Sequence, residues 1–414
     1  MLIKPINKYN RTLTVPGDKS ITHRAVMFNA LSAGKAAVRG ALLGADCIST
    51  IECMRALGSV IDIAGDTVTV AGVRALPSAR LDVGNSGTTI RLLTGALAGI
   101  KGTTATLTGD GSVCRRPMNR VIDPLRAMGA DIESQSGGLA PLTVRGGSLK
   151  GIDYTMPVAS AQVKSAIILA GLNAEGATTV RERVLSRDHT EIMLKSLGAD
   201  IGVDGKIISI KKSKLTAADI TVPGDISSAV FAAALGTVAG RVTIRGVGVN
   251  PTRTGCLDIL KMAGAHLTVN SISTDGEPVA DITIKRDKLK PFVIEGDIIP
   301  RLIDEIPALA VLACFCEGTT VIRDAAELAV KESNRIATVT DMINALGGKA
   351  APTADGMIIE GKGYLEGGGI DAKGDHRIAM SGAVALALSR KGGHLSGGDC
   401  AAVSYPDFFE QIIL

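Results

Sequence analysis

Apolar and polar positions along the 414-residue chain alternate in two rhythms. Stretches rich in Ala and Leu with helical spacing end at a glycine, and a short run follows that alternates like a strand. Six copies of this phrase align, on Gly34, Gly102, Gly176, Gly240, Gly318 and Gly392, at spacings of 64 to 78 residues. Runs such as Ala177-Thr178-Thr179-Val180 and Thr319-Thr320-Val321-Ile322 follow the glycines, and their β-branched side chains suit a pleated, half-buried surface. Glycine at each helix end is the expected C-terminal stop.

A second phrase, helix then apolar-Gly-small-x-apolar, interleaves with the first. It occurs at Leu57-Gly58, Met128-Gly129-Ala130-Asp131-Ile132, Leu197-Gly198-Ala199-Asp200-Ile201, Ala263-Gly264-Ala265-His266-Leu267 and Leu346-Gly347, five clear copies against six of the first. Together the phrases predict an α/β protein of six units, each with two helices and several strands, divided into two domains of three units. Helices followed by glycine are common in any α/β protein, so the near-regular spacing carries the repeat. Such a domain could bury its helices inside outer sheets, but the pattern alone does not separate that arrangement from a doubly wound sheet. Two Val-Pro-Gly-Asp segments, Val15–Asp18 and Val222–Asp225, punctuate the chain before the first and fourth units and read as paired hinges. The expected domains are 16–224, and 1–15 with 225–414.

Composition narrows the function. The chain has six Phe, four Tyr and no Trp, so binding by base stacking is disfavoured and the core must be aliphatic. With 45 basic against 41 acidic residues, the charge is too balanced for nucleic-acid binding by counterion release. Seven cysteines without a CxxC pair argue against a disulfide framework or zinc knuckle, and no apolar run is long enough to span a bilayer. A cytoplasmic, metal-free protein is expected.

The chemistry is in the cations. Lys19, Arg24, Arg91, Arg116, Lys164, Arg187, Lys331, Arg335 and Arg377 stand in Gly/Ser/Asp-rich contexts or at presumed helix starts, where free N–H groups favour anions. One such cation alone would be an ordinary surface charge, and only their joint occurrence points to a polyanionic small-molecule site. Lys19-Ser20 lacks the preceding glycines of a phosphate-binding P-loop, and Gly84-Asn85-Ser86-Gly87 lacks dinucleotide spacing, so ATP hydrolysis and a nicotinamide cofactor are disfavoured. Asp304 and Glu332 are the acid–base candidates; Asp304 could instead cap a helix before Pro307, and Glu332 could instead pair with Arg335 at i to i+3. No histidine pair has metal-ligand spacing, His376 reads as structural, and Cys114 beside Arg115 and Arg116 is a weak nucleophile candidate.

Eight phrases in order resemble the 5-enolpyruvylshikimate-3-phosphate synthase family along the whole chain. They are Gly17-Asp18-Lys19-Ser20 with Arg24, Asn85-Ser86-Gly87-Thr88 with Arg91, Arg116-Pro117-Met118, Ser160-Ala161-Gln162-Val163-Lys164, Arg187-Asp188-His189-Thr190-Glu191, Asn250-Pro251-Thr252-Arg253, Lys331-Glu332-Ser333-Asn334-Arg335 and Asp375-His376-Arg377. The resemblance implies a two-domain inside-out α/β barrel with buried helices and outer sheets. It also implies transfer of the carboxyvinyl group of phosphoenolpyruvate to the 5-hydroxyl of shikimate 3-phosphate, without a cofactor or macromolecular partner and as a monomer. Lys19, Ser20, Arg24, Ser160, Gln162, Ser186, Arg187, Asp304 and Lys331 would hold shikimate 3-phosphate. Lys19, Gly87, Arg116, Gln162, Arg335 and Arg377 would face phosphoenolpyruvate, the cations of both domains meeting in one site. Asp304 would be the base, with Glu332 or Lys19 exchanging the methylene proton. One departure stands out: Val403 precedes Ser404-Tyr405-Pro406-Asp407 where many relatives carry a lysine.

Overall fold

The computed structural model describes residues 1–73, 77–274 and 276–414. The chain divides into two compact units, Gly17–Val222, and Met1–Pro16 with Pro223–Leu414. Both are mixed α/β.

In Gly17–Val222 three long helices, Lys19–Ala30, Gly87–Ala98 and Ala161–Gly171, are buried along most of their length. Each starts at a side chain that accepts a backbone N–H of the first turn: Asp18 from Ile21, Ser86 from Thr89 and Ser160 from Val163. Each cap satisfies a donor that the helix itself cannot, typically worth about 1 kcal/mol. Small residues let these helices close up. A Cβ on Gly95 would lie 2.1 Å from the carbonyl oxygen of Ala166, so the second and third helices meet backbone to backbone there.

Three four-stranded sheets in this unit share one plan. The strand after each repeat glycine (Lys35–Arg39, Thr104–Thr108, Thr178–Arg181) runs antiparallel to the second arm of a hairpin (Thr67–Ala71, Leu139–Arg145, Ile207–Ile210), whose first arm lies outside it. Its other edge pairs in parallel with a strand from the preceding unit: Ala79–Asp82 beside Thr104–Thr108, and Asp153–Thr155 beside Thr178–Arg181. Ile220–Thr221, from the third unit, closes the cycle beside Lys35–Arg39. Strand burial alternates: Val68 and Val70 are buried while Thr67, Thr69 and Ala71 are partly exposed. One-sided sheets of this kind are not those of a doubly wound fold, which covers both faces.

The other unit repeats the plan with the helices Ile226–Ala239, Ile306–Ala313 and His376–Leu388. Ile226–Ala239 is apolar all round and buried from Ile226 to Thr237, as a helix inside a core must be. Its first sheet takes Tyr9–Thr14 as the parallel edge strand beside Gly240–Gly248, and its second pairs Val293–Ile294 with Gly318–Ile322. The sixth unit is truncated. Gly393–Ser396 pairs in parallel with Gly368–Asp371, but no hairpin follows, and Leu2–Ile3 lies antiparallel in its place. This explains why the second glycine phrase has five copies. The segment Gly398–Ile413 packs on His376–Leu388 instead, with Phe408 at the centre of edge-to-face contacts to Phe231, Tyr405 and Phe409.

One expectation changes. The helix-stop role belongs to the second glycine phrase: Gly58, Gly129, Gly198, Gly264 and Gly347 have φ of 97°, 94°, 89°, 91° and 78° right after the helix cap. Of the first set only Gly240 closes a helix; the others lie four or five residues beyond the last helical residue and turn the chain into its strand with positive φ. None of the six sheets closes on itself among the described residues, so no closed barrel is formed. The Val-Pro-Gly-Asp segments are helix starts, Asp18 and Asp225 being the caps. No helix among the described residues is long and apolar enough to cross a membrane.

Candidate active site

Most of the expected ligands in Gly17–Val222 stand at the first turns of its three long helices. Lys19 opens the first, its Nζ 3.0 Å from Asp46 Oδ2. Next to it is Ser20, half-buried, whose carbonyl accepts from Arg24 Nη1 at 2.9 Å. Arg24 is buried and also donates from Nε to Thr190 Oγ1 at 2.7 Å and from Nη2 to Ser165 Oγ at 2.9 Å, which joins the first and third helices.

Gly87 opens the second helix. A Cβ there would lie 2.8 Å from Arg91 Nη1 and 3.1 Å from Arg116 Nη1, so two guanidinium groups lie over bare backbone. Arg91 donates to Gln162 Oε1 at 2.6 Å, and Gln162 Nε2 donates to Thr88 Oγ1 at 2.9 Å, binding the starts of the second and third helices together. Arg116 Nη2 donates to Asn85 Oδ1 at 3.1 Å and Ser112 Oγ at 2.9 Å. Asp110 anchors that loop. Burial would raise its carboxyl, but the Val113 N–H, the Asn85 amide, the Ser112 N–H and Arg116 together hold it below the usual carboxylate range. Cations at helix N-termini, with a glycine that leaves room for close approach, are an arrangement that can bind an anion.

In the other unit Asp304 does not cap the helix. Its Oδ1 lies 3.3 Å from Lys331 Nζ and 3.6 Å from Arg335 Nη1, while Glu305 occupies the cap position without a capping bond. Glu332 pairs with Arg335 Nη2 at 2.6 Å, but it precedes the helix Arg335–Ala345, so the pair spans the helix start. Arg335 also donates from Nε to Asp375 Oδ2 at 2.9 Å and from Nη2 to Asp375 Oδ1 at 3.1 Å. Its side chain is only 2% exposed. Burial opposes its charge, yet Glu332, Asp375 and Asp304 outweigh burial and raise its pKa. Arg377, on the first turn of the helix capped by Asp375, donates from Nη1 to the Ser227 carbonyl at 2.9 Å.

A family model described as EPSP synthase (3-phosphoshikimate 1-carboxyvinyltransferase) matches residues 3–412. The chain belongs to this family. Proteins named 3-phosphoshikimate 1-carboxyvinyltransferase from Bacillus cereus and Shouchella clausii are 50% and 51% identical, each alignment covering 99% of this chain and 98% of the relative. The solved EPSP synthase of Acinetobacter baumannii superposes with a TM-score of 0.89 at 44% identity, over 99% of this chain and 96% of that one. The enolpyruvyl transferase NikO from Streptomyces tendae shares the fold, with a TM-score of 0.79 at 19% identity over 99% and 96%.

Not every residue of the family's phrases is placed to touch a ligand. Lys164 is buried, with Nζ 2.9 Å from Glu182 Oε2 and 2.7 Å from Glu191 Oε1. Burial alone would lower its pKa, but Glu191 and Glu182 more than offset that and raise it. It is a core ion pair, and the expectation of a ligand cation at this position is corrected. Of the residues expected to hold shikimate 3-phosphate, Ser186 is buried, its backbone N–H donating to Glu182 Oε1 at 3.1 Å and its hydroxyl to the same oxygen, and Arg187 is partly exposed. Cys114 directs its thiol to the Gly109 carbonyl at 3.3 Å. Val403 ends the short helical segment Gly398–Val403 and is partly exposed. Sequence reasoning missed Asp46 and Glu182, which lie outside every phrase, Asp46 being 27 residues from the lysine it pairs with. Glu191 and Asp375 were within quoted phrases, but nothing local marked them as the partners of Lys164 and Arg335.

Proposed function

We propose that the protein transfers the carboxyvinyl group of phosphoenolpyruvate to the 5-hydroxyl of shikimate 3-phosphate, giving 5-enolpyruvylshikimate 3-phosphate and phosphate. The observation that carries this reading is the family match along residues 3–412, at about half identity to named relatives of the same length. The fine architecture proposed with it is three helices inside three outer sheets in each unit. No cofactor takes part in this reading, and the protein acts as a cytoplasmic monomer.

Both substrates are multiply charged anions that repel each other at the roughly 3 Å contact that reaction requires, so binding rests on cations. Lys19, Ser20, Arg24, Ser160, Gln162, Ser186, Arg187, Asp304 and Lys331 serve shikimate 3-phosphate. Lys19, Gly87, Arg116, Gln162, Arg335 and Arg377 serve phosphoenolpyruvate, and the bare backbone of Gly87 beneath two guanidinium groups supports that assignment. Arg24 and Arg335 act from buried positions, and their existing partners hold them in place.

Asp304 takes the proton of the 5-hydroxyl as its oxygen attacks C2 of phosphoenolpyruvate, while Glu332 or Lys19 delivers a proton to the methylene carbon. The tetrahedral intermediate then collapses: the C2–O bond to phosphate breaks, the methyl group returns its proton, and the enol ether forms. The 3.3 Å contact of Lys331 with Asp304 supports this reading, since it can hold the carboxylate's geometry.

Phosphate release from phosphoenolpyruvate, measured with shikimate 3-phosphate and with UDP-N-acetylglucosamine as acceptors, tests the proposal. Turnover only with shikimate 3-phosphate is expected. Turnover only with the nucleotide sugar would reassign the chain to another class of enolpyruvyl transferase.

A further inference from the structure

The unit that carries Asp304 and Arg377 has a buried charged group that the proposed reaction leaves unused. Arg253 is 3% exposed, and its Nη2 lies 2.7 Å from Ser227 Oγ, 3.2 Å from Asp225 Oδ1 and 3.9 Å from Glu305 Oε1. Glu305 is fully buried and accepts a short hydrogen bond from the Ser227 hydroxyl. Ser227 is therefore engaged through every polar atom: its N–H donates to Asp225 Oδ1 at 2.9 Å, its hydroxyl meets Arg253 and Glu305, and its carbonyl accepts from Arg377.

This geometry bears on the site at two points. Arg377 is held through the Ser227 carbonyl, and Asp304 is the chain neighbour of Glu305. A long side chain such as Arg samples many rotamers unless an acceptor fixes its head group, and an acceptor is only as fixed as the backbone that carries it. Burial without a counter-ion would be strongly unfavourable for Glu305, and Arg253 supplies one beside the Ser227 hydroxyl that Glu305 engages.

We infer that Arg253 is a positioning residue. With Asp225 and Glu305 it fixes Ser227, and the Ser227 carbonyl aims the Arg377 guanidinium for phosphoenolpyruvate. The inference rests on the reading that Arg377 faces phosphoenolpyruvate, and a double-mutant cycle separates the two. The variants are Arg253→Met, Arg377→Met and the pair together, with KM for each substrate, kcat and thermal midpoint measured for all. Arg253→Lys keeps the buried charge but ends one bond short of the Nη2 position that meets both Ser227 and Asp225, and it stands in if Arg253→Met does not fold.

Arg253→Met and Arg253→Lys are expected to raise KM for phosphoenolpyruvate about tenfold, with KM for shikimate 3-phosphate unchanged. In the Arg377→Met background the same change at Arg253 is expected to have no further effect on KM for phosphoenolpyruvate. Full additivity of the two effects, or a lower thermal midpoint with both KM values unmoved, would overturn the inference and make Arg253 merely structural. If Arg377→Met alone leaves KM for phosphoenolpyruvate unchanged, the reading of Arg377 fails, and the inference fails with it.

Discussion

His23 gives a test of the buried polar network that needs no substrate. It lies in the middle of the helix Lys19–Ala30 with no exposure, its Nδ1 2.7 Å from Thr50 Oγ1. Thr50 Oγ1 is 2.6 Å from Thr89 Oγ1, and Thr89 donates its hydroxyl to Ser86 Oγ at 2.6 Å. A hydroxyl has one proton to give. Since Thr89 commits its proton to Ser86, it accepts from Thr50, which in turn accepts from His23 Nδ1–H. That direction leaves Nε2 as an unprotonated nitrogen, buried and without a hydrogen-bond partner among the described residues. Burial lowers the pKa to about 3, with Asp46 opposing the shift and Lys19 and Arg24 reinforcing it.

Below an unfolded-state pKa of about 6.5 the unfolded chain binds a proton at this position that the folded chain refuses. The contribution to stability is therefore complete above pH ~6.5 and is lost at about 1.4 kcal/mol per unit as the pH falls toward 3. Between pH 7.5 and 5 the loss is about 2 kcal/mol. Carboxylates also titrate as pH falls, so the quantity to measure is a difference. In His23→Gln, whose amide can still donate to Thr50, the acid-dependent loss should be smaller by that 2 kcal/mol in urea unfolding followed by circular dichroism. Carbon-labelled histidine NMR should show the folded imidazole neutral at pH 5. A wild-type-to-variant difference that is the same at both pH values, or an imidazole that titrates near 6.5 in the folded protein, would refute the argument.

Gly87→Ala places a methyl group against Arg91 and Arg116, which are the ends of flexible side chains, so KM for phosphoenolpyruvate should rise about tenfold while the thermal midpoint stays put. Asp304→Asn keeps the shape but removes the base, and kcat in the phosphate-release assay should fall by about 10²–10⁴; unchanged turnover would remove Asp304 from the chemistry. Lys164→Met strands Glu182 and Glu191 in the core and should lower unfolding free energy by about 3–5 kcal/mol; near-neutral unfolding data would mean that water reaches the pair.

The repeat was legible because backbone geometry selects residue types. Gly58, Gly129, Gly198, Gly264 and Gly347 all sit at positive φ, where a side chain is strained, so the chain carries a visible mark at each of these helix ends. Which glycine ended the helix was not legible, because both phrases put a glycine near a helix end. The site was legible as residue types at helix starts, where Lys19, Gly87 and Ser160 do stand. Partnership was not. Lys19 and Lys164 look alike in sequence, each beside small polar residues, yet one is partly exposed and pairs with Asp46 and the other is buried between two glutamates. Pairings across tens of residues depend on which strands close each sheet, and no local pattern encodes that.

The pairing of Ile220–Thr221 with Lys35–Arg39 makes Gly17–Val222 a ring of three sheets joined by borrowed edges. Its two ends are side by side: a Cβ on Gly17 would lie 3.1 Å from Val222 Cγ1. In the other unit, Asp225 N–H donates to the Pro16 carbonyl at 2.8 Å, so the cut ends there are neighbours as well. A segment with adjoining ends can be spliced into a host, or have its own ends sealed and be opened at another turn, with little change in either partner. Gly17–Val222 is thus an insertion in the chain between Pro16 and Pro223, and a circular permutant of it should keep the same order of strands.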